Sequence, residues 1–338
     1  MKIRILLISL LGMVFAGSVA AAPKTVAFES MQTLLSDARV GDVSTRTPVR
    51  VPMITWGGDI ATILANGNAA KTRSGSLFAS QGLDLELVRQ DVFSQQVRDY
   101  LQGDSPYLRG TLGMVNMASE LLSRDPRTKP VVVYQMTWSA GGDALVVKSD
   151  VRTAADLRGK TIGVQAYGPH VYYMSKLLAD AGLSVADVTL KWYPDLTGTD
   201  NTPMAAMQQG EVDAAFVIIP DALLLTSGGT VGTGAEDSVR GAHILLSTRT
   251  ANRVISDVYA VRSDYFQSNR DQVQQFVNGL MQGAEKLREV MASKGPEFEA
   301  TTRAAAELLL DSPLAVADVE GLYADCEFVG WKGNVDYF

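Results

Sequence analysis

The stretch TIGVQAYGPHVYYMSKLL, residues 161–178, decides the fold class, because a strand pattern turns there directly into a helix pattern. Residues 161–165 are rich in β-branched and small side chains, which predicts a strand. After the turn at Gly168 and Pro169, apolar residues recur at the spacing of one buried helix face, at Val171, Met174, Leu177 and Leu178. Strand followed by helix is the repeating unit of an α/β sheet.

The same alternation extends along most of the chain. Strands are predicted at 49–55, 83–89, 112–117, 131–138, 144–149, 161–165, 188–193 and 213–219. Helices are predicted near 31–35, at 94–103 and 117–125, and over the C-terminal part from 268, with further helices at 298–310 and 314–323. The first C-terminal helix has its apolar face at Val273, Phe276, Val277, Leu280, Met281, Ala284 and Leu287. Strands that alternate with helices predict parallel-rich sheets built from βαβ units.

The N-terminus has the composition of a secretory signal peptide, predicted over residues 1–21. Lys2 and Arg4 precede an apolar run at 5–15, which is shorter than the ~20 residues of a membrane-spanning helix. The predicted mature chain is therefore exported to the periplasm. Its single cysteine, Cys326, excludes an internal disulfide, and its net charge of −7 argues against nucleic acid as a partner.

The sequence offers little for catalysis or for a metal. Its two histidines, His170 and His243, lie far apart without carboxylates or cysteines at ligand spacing, so we expect no metal and no cofactor. The RGKT at 158–161 ends in a strand pattern, whereas a phosphate-binding loop requires a helix to follow. We therefore predict no catalytic residue.

Several strand-to-helix junctions instead carry aromatic, glycine and acidic residues. In open α/β sheets, ligands bind at the carboxyl ends of strands, where helix N-termini offer free N–H groups. Asp59 could alternatively be a helix cap, Trp138 a core residue, and His170 a helix cap or a solvent-facing side chain. The predicted ligand-binding residues are Trp56, Gly57, Gly58, Asp59, Asn116, Trp138, Ser139, Tyr167, Gly168, His170, Asp200, Asp221 and Asp257.

Two segments, 153–196 and 204–223, resemble the second lobe of periplasmic solute-binding proteins of ABC importers. The branch is the one that handles nitrate, sulfonates, taurine and thiamine-pyrimidine precursors. The matching signature elements are DLRGKTIGV at 156–164, AGL at 181–183, DV at 187–188 and GEVDA at 210–214. The resemblance extends over about residues 49–290, and 256–266 looks like the return crossing into the first lobe.

The resemblance implies a type II periplasmic binding fold of two α/β lobes that close on a ligand by a hinge. It implies lobe 1 at 49–140 and 255–338, which includes the C-terminal helices, lobe 2 at 141–254, and an N-terminal extension at 22–48. The implied partners are a small solute and an inner-membrane ABC permease, and we expect a monomer.

The acidic residues Asp59, Asp143, Asp200 and Asp257 favour a nitrogen-containing polar solute. Pro169 has no N–H, which weakens its turn as an anion site. The alternatives are an oxyanion- or sulfonate-binding protein, or an envelope sensor or scaffold outside transport. A third alternative, an enzyme of the thiamine-pyrimidine type, requires a Cys-rich stretch that a chain with only Cys326 lacks.

Overall fold

The computed structural model describes residues 21–251 and 253–338. Residues 1–20 of the predicted signal peptide lie outside the described residues. The strands are β1 Val49–Met53, β2 Leu85–Arg89, β3 Tyr107–Thr111, β4 Pro130–Ser139, β5 Asp143–Val147, β6 Thr161–Gln165, β7 Thr189–Tyr193, β8 Ala214–Ile218, β9 His243–Ser247, β10 Ser256–Arg262 and β11 Cys326–Phe328.

The helices surround these strands. They are α1 Met31–Leu34, α2 Asp59–Ala65, α3 Leu77–Ser80, α4 Phe93–Gln102, α5 Leu112–Leu122, α6 His170–Asp180, α7 Pro203–Gln208, α8 Ile219–Leu225, α9 Ser263–Ser268, α10 Arg270–Ser293, α11 Pro296–Leu310, α12 Val316–Ala324 and α13 Gly330–Tyr337. Short 3-10 turns lie at Ala154–Leu157 and Val185–Asp187. No helix of the described residues is long and apolar enough to cross a membrane.

The first lobe contains a parallel pair, β1–β2, and a four-stranded sheet in the order β11-β4-β10-β3. The second lobe contains a five-stranded sheet in the order β7-β6-β8-β5-β9. The chain crosses between the lobes at residues 140–142, between β4 and β5, and again between β9 and β10. The two-lobed α/β class is confirmed, and the predicted domain limits stay a proposal.

Parallel pairing is less extensive than the sequence predicts. In the second lobe β6 runs parallel to β7 and β8, but β5 is antiparallel to β8 and β9. Every neighbouring pair in the four-stranded sheet is antiparallel. The strands that flank the two crossings are β4, β5, β9 and β10. They are not joined to their sheet neighbours by βαβ units, so the rule of parallel pairing does not apply to them.

The predicted strand at 112–117 is wrong, because this segment is the first part of α5. The strand lies just before it, as β3, and ends at Thr111. Thr111 is the N-cap of α5, and its hydroxyl accepts a hydrogen bond from the Met114 N–H at 3.1 Å. Strand β11 and helix α13 were not predicted.

The apolar face predicted for α10 is confirmed. Five of its residues, Val273, Phe276, Leu280, Ala284 and Leu287, are buried in the core of the first lobe, while Val277 and Met281 pack against that core. The helix lies close to α2, since an added Cβ at Gly283 would be 2.7 Å from the Ala61 carbonyl oxygen and 3.0 Å from the Ala65 Cβ.

This close approach gives a paired test. Gly283→Ala should lower the free energy of unfolding by about 1–3 kcal/mol, since the methyl group has no room. Gly321→Ala, in α12 with nothing within 4 Å of the added Cβ, should instead raise it by up to about 1 kcal/mol through helix propensity. Urea unfolding of both variants measures the difference. A stabilised Gly283→Ala variant contradicts the close packing of α10 on α2.

Candidate functional site

A buried ion-pair cluster lies where three elements of the first lobe meet. Arg109, in the middle of β3, is fully buried, as is Asp59 at the start of α2. The Arg109 Nη2 lies 2.8 Å from Asp59 Oδ2, and the Arg109 Nη1 lies 2.8 Å from Oδ1 of Asp257 on β10. The Arg109 Nε donates to Asp59 Oδ2 at 3.0 Å. A buried guanidinium requires such partners, because an unpaired buried charge is strongly unfavourable.

The cluster extends to the first crossing between the lobes. The Thr137 hydroxyl donates to Asp257 Oδ2 at 3.2 Å and accepts a hydrogen bond from Trp56 Nε1 at 3.0 Å. The Trp56 ring packs on Gly142, where an added Cβ would lie 2.6 Å from the ring. The turn after β1 therefore holds Trp56 against the crossing segment.

A second polar group lies on the other side of this crossing. Asp143, at the start of β5, is buried, and its Oδ1 is 2.6 Å from His170 Nε2. Its Oδ2 accepts from the Ser139 hydroxyl at 2.6 Å, and the Ser139 Oγ lies 2.8 Å from Thr248 Oγ1. Thr248 also accepts from the Gly141 N–H at 3.0 Å. These bonds join the beginnings of both crossings.

Three buried polar atoms of the second lobe have no hydrogen-bond partner among the described residues. They are the Nδ1 of His170, the hydroxyl of Tyr173 and the Oδ2 of Asp221, whose other oxygen accepts from Thr197 Oγ1 at 3.1 Å. Burial raises the pKa of Asp221 to about 6, and the Thr197 hydrogen bond and nearby His170 oppose the shift. Unpaired buried polar atoms are uncommon, and a bound solute is one way to pair them.

Carboxylates dominate this region. Burial raises the pKa of Asp59 to about 7, although the Arg109 guanidinium opposes the shift. Burial also raises the pKa of Asp257. It raises the pKa of Asp325, beside the first crossing, to about 6. Burial lowers the pKa of Arg109, but the facing carboxylates outweigh it and the net shift is upward. Arg109 therefore stays charged.

The structure brings six of the thirteen predicted residues close to the first crossing. Trp56, Asp59 and Asp257 belong to the ion-pair cluster. Ser139 and His170 belong to the second polar group, and Asp221 lies beside His170. Asp59 is not the helix cap considered as its alternative, because it pairs with Arg109 and its helix has no side-chain cap. His170 neither caps its helix nor faces solvent, because its ring is buried against Asp143.

The predicted glycines have packing roles. An added Cβ at Gly57 would collide with the Leu322 carbonyl oxygen, and one at Gly168 with the Gln165 side chain. Gly58 is the N-cap residue of α2 and packs beside Thr137. Gly57 thus brings the turn after β1 close to the backbone of α12, whereas Gly58 and Gly168 lie against side chains.

Other predicted residues lie elsewhere. Trp138 points to the opposite face of β4 from Thr137, and its ring makes an edge contact with Tyr337 at 6.0 Å. Asn116 on α5 and Asp200 in the loop after β7 are exposed. Tyr167 contacts the N-terminal segment, with its hydroxyl 2.9 Å from the Glu29 nitrogen.

Sequence reasoning missed Arg109, Thr137 and Thr248. Arg109 had a usable signal, because a charged residue in a short run of apolar residues before a helix is unusual. Thr137 and Thr248 had no such signal, since their hydrogen bonds form only where the chain crosses between the lobes. Within the described residues, no group of three or more His, Cys, Asp or Glu side chains could hold a metal ion.

Comparison with known proteins places the chain in a family. The family model described as "NMT1/THI5 like" matches residues 72–290, more than half of the chain. The chain belongs to the NMT1/THI5-like family. This agrees with the resemblance noted in the sequence. No curated protein matches the chain in sequence.

Solved structures share the fold of this NMT1/THI5-like protein. The periplasmic aliphatic sulphonate binding protein SsuA of Escherichia coli has a TM-score of 0.59 at 17% identity, over 82% of this chain and 79% of that one. SsuA of Xanthomonas axonopodis pv. citri, bound to MOPS, has 0.57 at 19% identity, over 84% and 86%. The Candida albicans CA3427 product, described as having the generic periplasmic binding protein fold, has 0.56 at 14% identity, over 83% and 81%.

The raised pKa of Asp221 predicts a pH dependence of stability. Its pKa is about 6 in the folded chain against 3.8 ordinarily, so the folded chain keeps a proton that the unfolded chain releases. The Asp221 carboxyl therefore lowers the free energy of unfolding progressively as the pH rises from about 4 to about 6, and the full loss of stability is present above about pH 6. Asp221→Asn should be more stable relative to the wild type at about pH 7.5 than at about pH 4.

Urea unfolding at the two pH values measures this difference. Asp200→Asn, an exposed aspartate of the same lobe, controls for the loss of one surface carboxylate. If the stability difference between Asp221→Asn and the wild type is the same at both pH values, the raised pKa is wrong.

Proposed function

We propose that this chain is the periplasmic solute-binding component of an ABC importer, and that it holds a small solute bearing a basic nitrogen at the interface of the two lobes. The observation that carries this proposal is the buried, mainly acidic cluster at the lobe crossings. The cluster lies at the carboxyl ends of β1 in the parallel pair and of β6 and β8 in the five-stranded sheet. Ligand sites of α/β proteins are found at the same ends of strands.

The balance of charge decides the class of solute. Asp59, Asp143, Asp221 and Asp257 face one guanidinium and one imidazole, and the guanidinium already pairs with two of these carboxylates. A sulfonate would lie near several carboxylates, and the further cation at the crossing, the Arg249 guanidinium beside Gly141, already faces the carboxylate of Asp325. An ammonium or a protonated heterocycle would pair with Asp221 Oδ2, which has no hydrogen-bond partner in the described part of the chain. Trp56 supplies an aromatic face near the crossing.

The proposed mechanism is closure of the lobes on the solute. Ser139, Asp143 and Thr248 join the two crossings by hydrogen bonds, so the relative orientation of the lobes depends on this cluster. A solute that bonds to groups of both lobes favours the closed state by its differential affinity for that state. The closed protein would then dock on a membrane permease. Export through the N-terminal signal peptide, action as a monomer and the lack of enzymatic activity belong to the same proposal.

A thermal-shift screen of the mature chain tests the proposal. The panel contains small primary amines, protonated pyrimidines, alkanesulfonates and nitrate. Binding of an amine at 100 times its Kd stabilises the fold by about 2.7 kcal/mol, which raises the Tm by several degrees. Asp221→Asn should weaken that binding about tenfold or more, because a charge-assisted hydrogen bond is lost. Asp200→Asn should bind as the wild type does.

The other outcomes are informative in the same screen. If sulfonates or nitrate raise the Tm and amines do not, the site takes an anion and the charge argument is wrong. If no compound raises the Tm, the solute-binding proposal fails. If Asp200→Asn and Asp221→Asn weaken binding equally, the solute does not contact Asp221.

A further inference from the structure

The N-terminal segment at residues 23–29 lies on the second lobe. The Lys24 N–H donates to Asn201 Oδ1 at 2.9 Å, and the Val26 N–H donates to the Trp192 carbonyl at 2.9 Å. Trp192 belongs to β7, the edge strand of the five-stranded sheet, and Asn201 to the loop that follows it. The segment therefore attaches to the outer edge of that sheet.

Phe28 strengthens this attachment by stacking. Its ring lies against Trp192 at 4.1 Å between centroids and 17° between planes, and against Tyr167 at 4.9 Å and 20°. The Tyr167 hydroxyl accepts from the Glu29 N–H at 2.9 Å and donates to the Glu29 carbonyl at 3.1 Å. Tyr167 has a φ of +60°, which costs energy for a non-glycine residue and persists only where the surroundings hold it.

The chain immediately afterwards lies on the first lobe. Met31 and Leu35 are each only 4% exposed and belong to the core that contains Val97 and Tyr100 of α4. Further along, the Gly41 N–H donates to the Leu101 carbonyl at 2.9 Å. This attachment is deep, whereas Phe28 on the second lobe is 39% exposed.

The two attachments are almost adjacent in sequence. Glu29 is bonded to the second lobe and Met31 is buried in the first, with only Ser30 between them. Two residue steps span at most about 7 Å, so the chain offers no slack at this point. Tyr167 itself also packs against the first-lobe core that holds Met31. The lobes cannot separate at this edge until one attachment is released.

We infer that residues 23–30 are a latch that holds the two lobes closed, with Phe28 as the side chain that releases. The second-lobe attachment is the one that opens, because it is exposed and consists of one stacked ring and a few hydrogen bonds. The latch rests on the two-lobed hinge of the proposed function but not on the identity of the solute. The closed state of the empty protein is therefore favoured by the chain itself.

Distances between spin labels on the two lobes, measured by pulsed electron resonance without any solute, test the latch. Labels are attached at Glu120→Cys on α5 and Ala179→Cys on α6, both exposed positions, in a Cys326→Ser background. Phe28→Ala should add a population with longer distances, or increase it at least several-fold over the unsubstituted chain. Val26→Ala should leave the distribution unchanged, because it keeps the backbone bond to Trp192 and removes a side chain of similar exposure, 38%.

Circular dichroism and urea unfolding establish that each variant is folded before its distances are compared. If Phe28→Ala and a chain without residues 22–29 are both folded and give the same distances as the unsubstituted chain, there is no latch. If Val26→Ala opens the lobes as much as Phe28→Ala, the stacked ring is not what holds them. Since no solute is present, these results are independent of the thermal-shift screen, and either proposal can fail while the other stands.

Discussion

The junction of β3, α2 and β10 in the first lobe depends on the buried guanidinium of Arg109. Arg109 has no access to water and draws Asp59 from α2 and Asp257 from β10 into contact with β3. Strands β3 and β10 are neighbours in the four-stranded sheet, whereas α2 follows β1 of the parallel pair. The ion pairs therefore fix where β1–β2 and α2 lie against the four-stranded sheet. Burial of such a unit is tolerated because its charges are paired and hydrogen-bonded.

The interactions of this unit continue to the lobe crossings. Thr137 connects Asp257 to Trp56, and Ser139, two residues further along β4, connects to Asp143 and Thr248. On the second lobe, His170 and Asp221 each have a buried polar atom that no other residue of 21–251 or 253–338 hydrogen-bonds. A structural framework in the first lobe thus leads through the hinge to the groups that we propose contact the solute. The N-terminal latch acts on the same hinge from the edge of the second lobe.

Local patterns predicted most of the fold. Residues 161–178 form β6 and α6 as expected, since strand and helix periodicity and the Gly168–Pro169 turn agree with one another. The segment 112–117 failed because Leu-Gly-Met-Val-Asn-Met has no clear period, and the capping Thr111 was the stronger signal. The antiparallel pairs could not be foreseen, because they follow from where the chain crosses between lobes.

The candidate site was predicted only in part, for a physical reason. Asp59 and Asp257 were recognised from their junctions, but their partner Arg109 lies 50 and 148 residues away from them in sequence. Trp138 was assigned to the cleft because it ends a strand, although alternation along β4 directs it to the other face, toward Tyr337. Nothing near Tyr167 in the sequence indicates that Phe28 stacks on it, since that contact spans the N-terminal extension.

The most direct test of this account is the free energy of unfolding of two variants of the Arg109 cluster. Arg109→Met alone should cost about 3–5 kcal/mol, because it leaves two buried carboxylates unpaired. The triple variant Arg109→Met, Asp59→Asn, Asp257→Asn removes every charge of the unit and should be clearly more stable than the single variant. If the triple variant is as unstable as the single variant or less stable, the ion pairs are not the constraint on which the first lobe depends.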